Sequence, residues 1–77
     1  MYELFHRIAE PDSATARRLV TSLGVKDQVD FRNVDFDDDR AVLAAHGGAE
    51  TPALWDGARL HVGLAAVRAA IEALPRG

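Results

Sequence analysis

Thr51-Pro52-Ala53-Leu54-Trp55-Asp56-Gly57-Ala58-Arg59-Leu60-His61-Val62-Gly63 is the stretch that decides the fold. A proline and then an apolar run make Thr51–Trp55 read as a short strand. Asp56-Gly57 is among the strongest two-residue signals for a hairpin turn, and Arg59–Val62 reads as the returning strand. After Gly63, the residues Leu64, Val67, Ile71 and Leu74 recur at helical spacing until Pro75 stops the stripe. The C-terminal third is therefore a hairpin followed by a helix.

Working back from the hairpin, Arg40–His46 has a helix's composition and ends at Gly47-Gly48, with Asp37-Asp38-Asp39 in front of it. The aspartates between Asp35 and Asp39 do not match the spacing of a calcium loop, and an N-cap at Asp38 or Asp39 accounts for them. Val29–Phe36 reads as a strand whose apolar members are Val29, Phe31, Val34 and Phe36. Its alternation slips between Phe31 and Val34, which predicts a bulge or an edge position. Glu10-Pro11-Asp12 reads as a helix start, because proline at the first helical position sacrifices no hydrogen bond and acids suit the positive end of the helix dipole. Ala16, Leu19, Val20 and Leu23 carry that helix to Gly24. Tyr2–Arg7 supplies the first strand. The order is β-α-β-α-β-β-α over a single domain, residues 1–77. It predicts an α/β fold with a four-stranded mixed sheet and helices on both faces, the first two strands being parallel across a right-handed connection.

Composition narrows the function. A formal net charge of −3 and a pI near 5.4 leave no basic footprint for nucleic acid. No apolar run reaches the roughly 20 residues of a membrane span, and the N-terminus lacks the form of a signal peptide, so a cytoplasmic location and no membrane partner are expected. The chain has no cysteine, which removes disulfides, thiolate metal sites and every sulfur nucleophile. His6, His46 and His61 share no metal-binding spacing, so each reads as structural and no metal is expected.

The order of elements and three landmarks resemble the glutaredoxins of the thioredoxin-fold superfamily, from Glu3 to about Leu74. Phe5-His6-Arg7-Ile8-Ala9-Glu10-Pro11-Asp12-Ser13 resembles the family segment that carries Cys-Pro-Tyr-Cys from the first strand into the first helix. Thr51-Pro52 resembles the turn whose proline is cis in that family, and Asp56-Gly57 through Gly63 resembles its final hairpin. The resemblance implies a thioredoxin-like fold and puts Glu10 at the nucleophilic cysteine's place and Ser13 at the second cysteine's. Pro11 and Asp12 lie between them. A carboxylate and a hydroxyl cannot exchange with a disulfide, so the family's redox reaction is expected to be lost and no catalytic residue remains in the degenerate motif.

The remaining ligand-binding candidates are Arg7, Glu10, Thr51, Pro52 and Gly63. Arg7 stands where the family's basic residue meets a glutathione carboxylate, and it is as well placed to pair with Glu10. Glu10 reads as a helix-terminus carboxylate, a stabilisation of roughly 0.3–1 kcal/mol, or alternatively as a general base or ligand grip. The Thr51 backbone, before the proline that the resemblance implies is cis, offers strand-like hydrogen bonds to a peptide. Beyond Gly63, Leu64-Ala65-Ala66 brings no acid to hold glutathione's amino group. Hydrogen bonds to charged groups are worth about 1.5–3 kcal/mol, so that loss and the Glu10 anion together lower glutathione affinity by at least about a hundredfold. No cofactor is expected, and any glutathione binding is weak. The sequence therefore points to a small binding or regulatory module for a protein or peptide. The alternative is a glutathione-binding or transferase-like protein using Ser13 or Glu10; Trp55 is the aromatic candidate for an interface, a core position being the commoner outcome for a tryptophan. No oligomeric state follows from the composition.

Overall fold

Period-two and period-3.6 patterns alternate along the chain, and the computed structural model, which describes residues 1–76, places an element at each change of period. The elements are β1 (Tyr2–His6), α1 (Pro11–Ser22), a 3₁₀ turn (Lys26–Gln28), β2 (Val29–Asn33), α2 (Asp37–Ala45), β3 (Ala53–Trp55), β4 (Leu60–Val62) and α3 (Leu64–Glu72). The strands form one mixed sheet in the order β2-β1-β3-β4. β1 and β2 are parallel, with Leu4 opposite Phe31; β3 is antiparallel to both β1 and β4. No helix among the described residues is long and apolar enough to cross a membrane.

The pleat sorts side chains to two faces. Leu4 and Leu54 point one way and pack with Ala16, Val20, Val67 and Ile71 under α1 and α3. Phe5 and Ala53 point the other way and pack with Val34 and Leu43 under α2. Each of these side chains is buried. Helices therefore cover both faces, as the alternation predicts, but the core under α1 and α3 is the larger.

Several boundaries differ from the sequence reading, each for a local reason. β1 stops at His6, not Arg7. β2 stops at Asn33, not Phe36, because the Asn33 carbonyl accepts from the Phe36 N–H (3.1 Å) and its side-chain oxygen accepts from the Asp35 N–H (3.0 Å). That Asx-type turn accounts for the slip in alternation. β2 is an edge strand, one of the two expected alternatives.

The expected N-cap at Asp38 or Asp39 is corrected: Phe36 is the N-cap, and Asp37, Asp38 and Asp39 all lie inside the first turn with no capping hydrogen bond. They act on the helix dipole and on cations, Asp37 pairing with Arg40 and Asp39 with Arg32. β3 begins at Ala53 instead of Thr51. In the hairpin, the two central residues are Gly57-Ala58 instead of Asp56-Gly57. Asp56 Oδ1 accepts from the N–H groups of Ala58 and Arg59, both at 2.8 Å, and Gly57 supplies the positive φ of 98° that this turn requires. α3 ends at Glu72, although Leu74 still packs into the core.

Candidate functional site

Three segments meet at the C-terminal end of β1: the loop into α1, the Thr51–Pro52 turn and the start of α3. Pro11 occupies the first turn of α1 and Glu10 is its N-cap, with extended backbone (φ −97°, ψ 121°) that aims the side chain back across the helix end. The Thr51–Pro52 peptide bond is cis. Gly63 (φ 90°) caps α3, and its N–H donates to the Pro52 carbonyl at 2.9 Å, which ties the turn to that helix.

The Glu10 carboxylate holds two of these segments together. Its Oε1 accepts from the Ser13 hydroxyl at 2.5 Å and from the Thr51 hydroxyl at 2.8 Å. Ser13 Oγ in turn accepts from the Arg7 N–H at 3.1 Å. Ser13 is fully buried, with 0% exposure. Its hydroxyl is committed on both its donor and acceptor sides, so it is a structural strut and not an accessible nucleophile.

Arg7 does not pair with Glu10, in contrast to one sequence expectation. Its guanidinium reaches Asp35 at 2.8 Å, across to the loop after β2. The Arg7 carbonyl accepts from Arg17 at 3.0 Å, and the same Arg17 nitrogen lies 2.9 Å from His6 Nδ1. Burial, and then the Arg17 charge, lower the pKa of His6, so its imidazole is held neutral as an acceptor. Asp12 is exposed in the first turn of α1.

The structure therefore brings Glu10, Ser13, Thr51, Pro52 and Gly63 together and turns the Arg7 side chain away. Among the described residues the Thr51 N–H and C=O make no hydrogen bond, while its hydroxyl is fixed on Glu10. No enclosed cavity adjoins the site among the described residues, so what it presents is a surface.

A second polar cluster, missed by the sequence reading, lies under α2. Arg32 bonds Glu3 at 2.6 Å and Asp39 at 3.0 Å, and the other Glu3 oxygen meets His46 Nε2 at 2.9 Å. His46 stacks on Trp55 with ring centroids 3.9 Å apart and planes 9° from parallel. Burial alone would raise the Glu3 carboxyl, but the bonds to His46 and Arg32 outweigh it and hold the group below its ordinary value; Asp39 and Glu3 raise Arg32. Glu3 and Phe5, two apart on β1, share this face with Arg32, and that alternation was the available signal. Trp55 is half-buried against His46. On the hairpin, His61 bonds Asp56 at 2.8 Å, and this contact, followed by the Arg59 and Ala58 N–H groups, lowers Asp56 to about 2.

Comparison of the chain with protein-family models, with curated proteins and with solved structures gives no match.

Proposed function

We propose that this chain is a glutaredoxin-like member of the thioredoxin-fold superfamily in which disulfide exchange has given way to a fixed polar contact, and that it works as a binding module for an extended peptide or protein segment. The element order, the sheet order and the cis Pro52 beside the N-terminus of α1 support the family reading. The observation that carries the binding reading is Thr51. Among the described residues its main-chain donor and acceptor have no hydrogen-bond partner, while the Glu10–Thr51 bond and the proline ring hold that backbone in place. A peptide strand laid beside Thr51 gains main-chain hydrogen bonds without ordering the loop first, which favours recognition by strand addition.

Glutathione fits this site poorly. Arg7 is engaged by Asp35, and Glu10 puts a carboxylate where the tripeptide's thiol would lie. A transferase-like use of Ser13 is disfavoured by its burial, and Glu10 Oε1 already accepts two hydroxyls. The test is a selection of displayed peptides against labelled protein. Selected peptides should shift the Thr51 amide, and methylating one peptide nitrogen should abolish binding. Peptides that bind elsewhere on the chain, or that tolerate methylation at every nitrogen, would overturn the reading. In parallel, millimolar glutathione should leave the amides of Arg7, Thr51 and Gly63 unmoved, and hydroxyethyl disulfide should not be reduced.

A further inference from the structure

Val29-Asp30-Phe31-Arg32-Asn33 forms an edge of the sheet, and one side of it has no neighbouring strand among the described residues. The Val34 N–H donates to the His6 carbonyl at 3.0 Å, so Val34, Arg32 and Asp30 direct their main-chain groups at β1. By alternation Val29, Phe31 and Asn33 direct theirs outward. Two of those outward groups are used within the chain: the Val29 N–H by the Lys26 carbonyl and the Asn33 carbonyl by the Phe36 N–H. Among the described residues, the Phe31 N–H and C=O, the Asn33 N–H and the Val29 C=O are left without partners.

We propose that this edge is a self-association surface, on which a second copy of the chain pairs antiparallel through β2 about a two-fold axis at Phe31. In that register the Phe31 N–H and C=O of one copy meet those of the other. The Asn33 N–H meets the Val29 carbonyl of the second copy, and the reverse contact follows by symmetry. All the unpartnered main-chain groups are then filled. The two groups already satisfied internally, the Val29 N–H and the Asn33 carbonyl, fall opposite each other and need nothing.

The side chains fit the same register. Asp30 lies opposite Arg32 of the second copy in a non-hydrogen-bonded pair, where facing side chains come closest. Asp30 makes no hydrogen bond among the described residues and is half-exposed; its nearest cation is its own Arg32 Nη2, at 3.7 Å. Arg32 commits Nε to Glu3 and Nη1 to Asp39, which leaves Nη2 for a carboxylate across the axis. Edges guarded against pairing carry charges that repel when the edge meets itself. Here Asp and Arg two residues apart attract under the two-fold operation. On the opposite face, each Phe31 ring, already edge-on to His6, gains its twin as a cross-strand aromatic neighbour.

The experiment combines sedimentation velocity with amide hydrogen exchange over a wide range of protein concentration. The sedimentation coefficient should rise with concentration. The Phe31 and Asn33 amides, unprotected in a lone edge strand, should exchange at least about tenfold more slowly at the top of the range. Arg32 and Val34, bonded to β1, should be protected throughout and report that the fold is intact. Asp30→Lys, at a half-exposed side chain without a hydrogen bond, should return the protein to a monomer and Phe31 and Asn33 to fast exchange. A monomer at every concentration would overturn the proposal. So would association that leaves Phe31 and Asn33 unprotected, or association that Asp30→Lys does not weaken.

Discussion

Replacing Glu10 with alanine removes one carboxylate and leaves two hydroxyls without their acceptor. The two do not suffer equally. Ser13 has no exposure, so water cannot replace the lost oxygen, whereas Thr51 is half-buried and recovers part of its hydrogen bond from solvent. A hydrogen bond to a charged acceptor contributes about 1.5–3 kcal/mol, and a buried unsatisfied donor costs a similar amount. Taking the lower end for the half-buried carboxylate, and adding a small dipole contribution at the start of α1, Glu10→Ala should destabilise by about 2–3 kcal/mol. In a domain of this size that is a fall in Tm of roughly 10–20 °C. Ser13→Ala should cost about 1–3 kcal/mol, because the Arg7 N–H also loses its acceptor. Since one bond joins the two residues, the double variant should be less damaged than the sum, with a coupling of about 1–2 kcal/mol. Asp12→Ala, exposed on the same turn, is the control and should change stability by less than about 0.5 kcal/mol. Urea and thermal unfolding followed by circular dichroism supply the four free energies. A loss below about 0.5 kcal/mol for Glu10→Ala, or strict additivity, would refute the idea that this carboxylate ties α1 to the Thr51 turn.

Three further outcomes follow from the same contacts. The thiol introduced by Glu10→Cys should titrate below about 7.5, favoured by the helix N-terminus and two nearby hydroxyl donors, whereas that of Ser13→Cys, fully buried, should titrate at or above about 8.5; alkylation rates against pH give both values. Asp56 has its folded pKa depressed to about 2 by His61 and two main-chain N–H groups, so its contribution to stability is complete above the unfolded value of 3.8 and is lost as pH falls from about 4 towards 2; Asp56→Ala should flatten acid unfolding in that window. His6 is depressed below 6.5, so the unfolded chain takes up its proton first and stability declines as pH drops below 6.5; His6→Gln should remove that decline in urea titrations at successive pH values.

The hairpin with its following helix, the α1 stripe and the pairing sense of β1 with β2 were legible because each rests on local periodicity or on a chain-handedness rule. The end of β2 was not, because Asn33 closes an Asx turn that competes with the strand ladder. Asp56 misled for a related reason: its side chain serves as the turn's acceptor, which moves the central pair to Gly57-Ala58. At the site, Glu10, Ser13 and Thr51 could be placed at one end of the sheet from the sequence. That Thr51 would contribute its hydroxyl as well as its backbone, and that Arg7 would reach Asp35, depended on side-chain directions set by tertiary packing. The Glu3–Arg32–Asp39–His46 cluster was hidden because its members come from β1, β2 and both ends of α2.

The first strand of the chain is an inner strand of the sheet, with Leu4 beside Phe31 on one side and Leu54 on the other. During synthesis β1, α1 and β2 emerge together and can dock as a unit, since the partners of β1 in β2 end at Asn33. That unit still presents the naked side of β1 and the Phe5 face until β3 leaves the ribosome. Nascent protein therefore spends the translation of α2 and the Thr51 turn with its central strand open, an interval of a few seconds at roughly 5–20 residues per second. The interval in which other strands could capture this protein is set by the distance in sequence between Asn33 and Ala53.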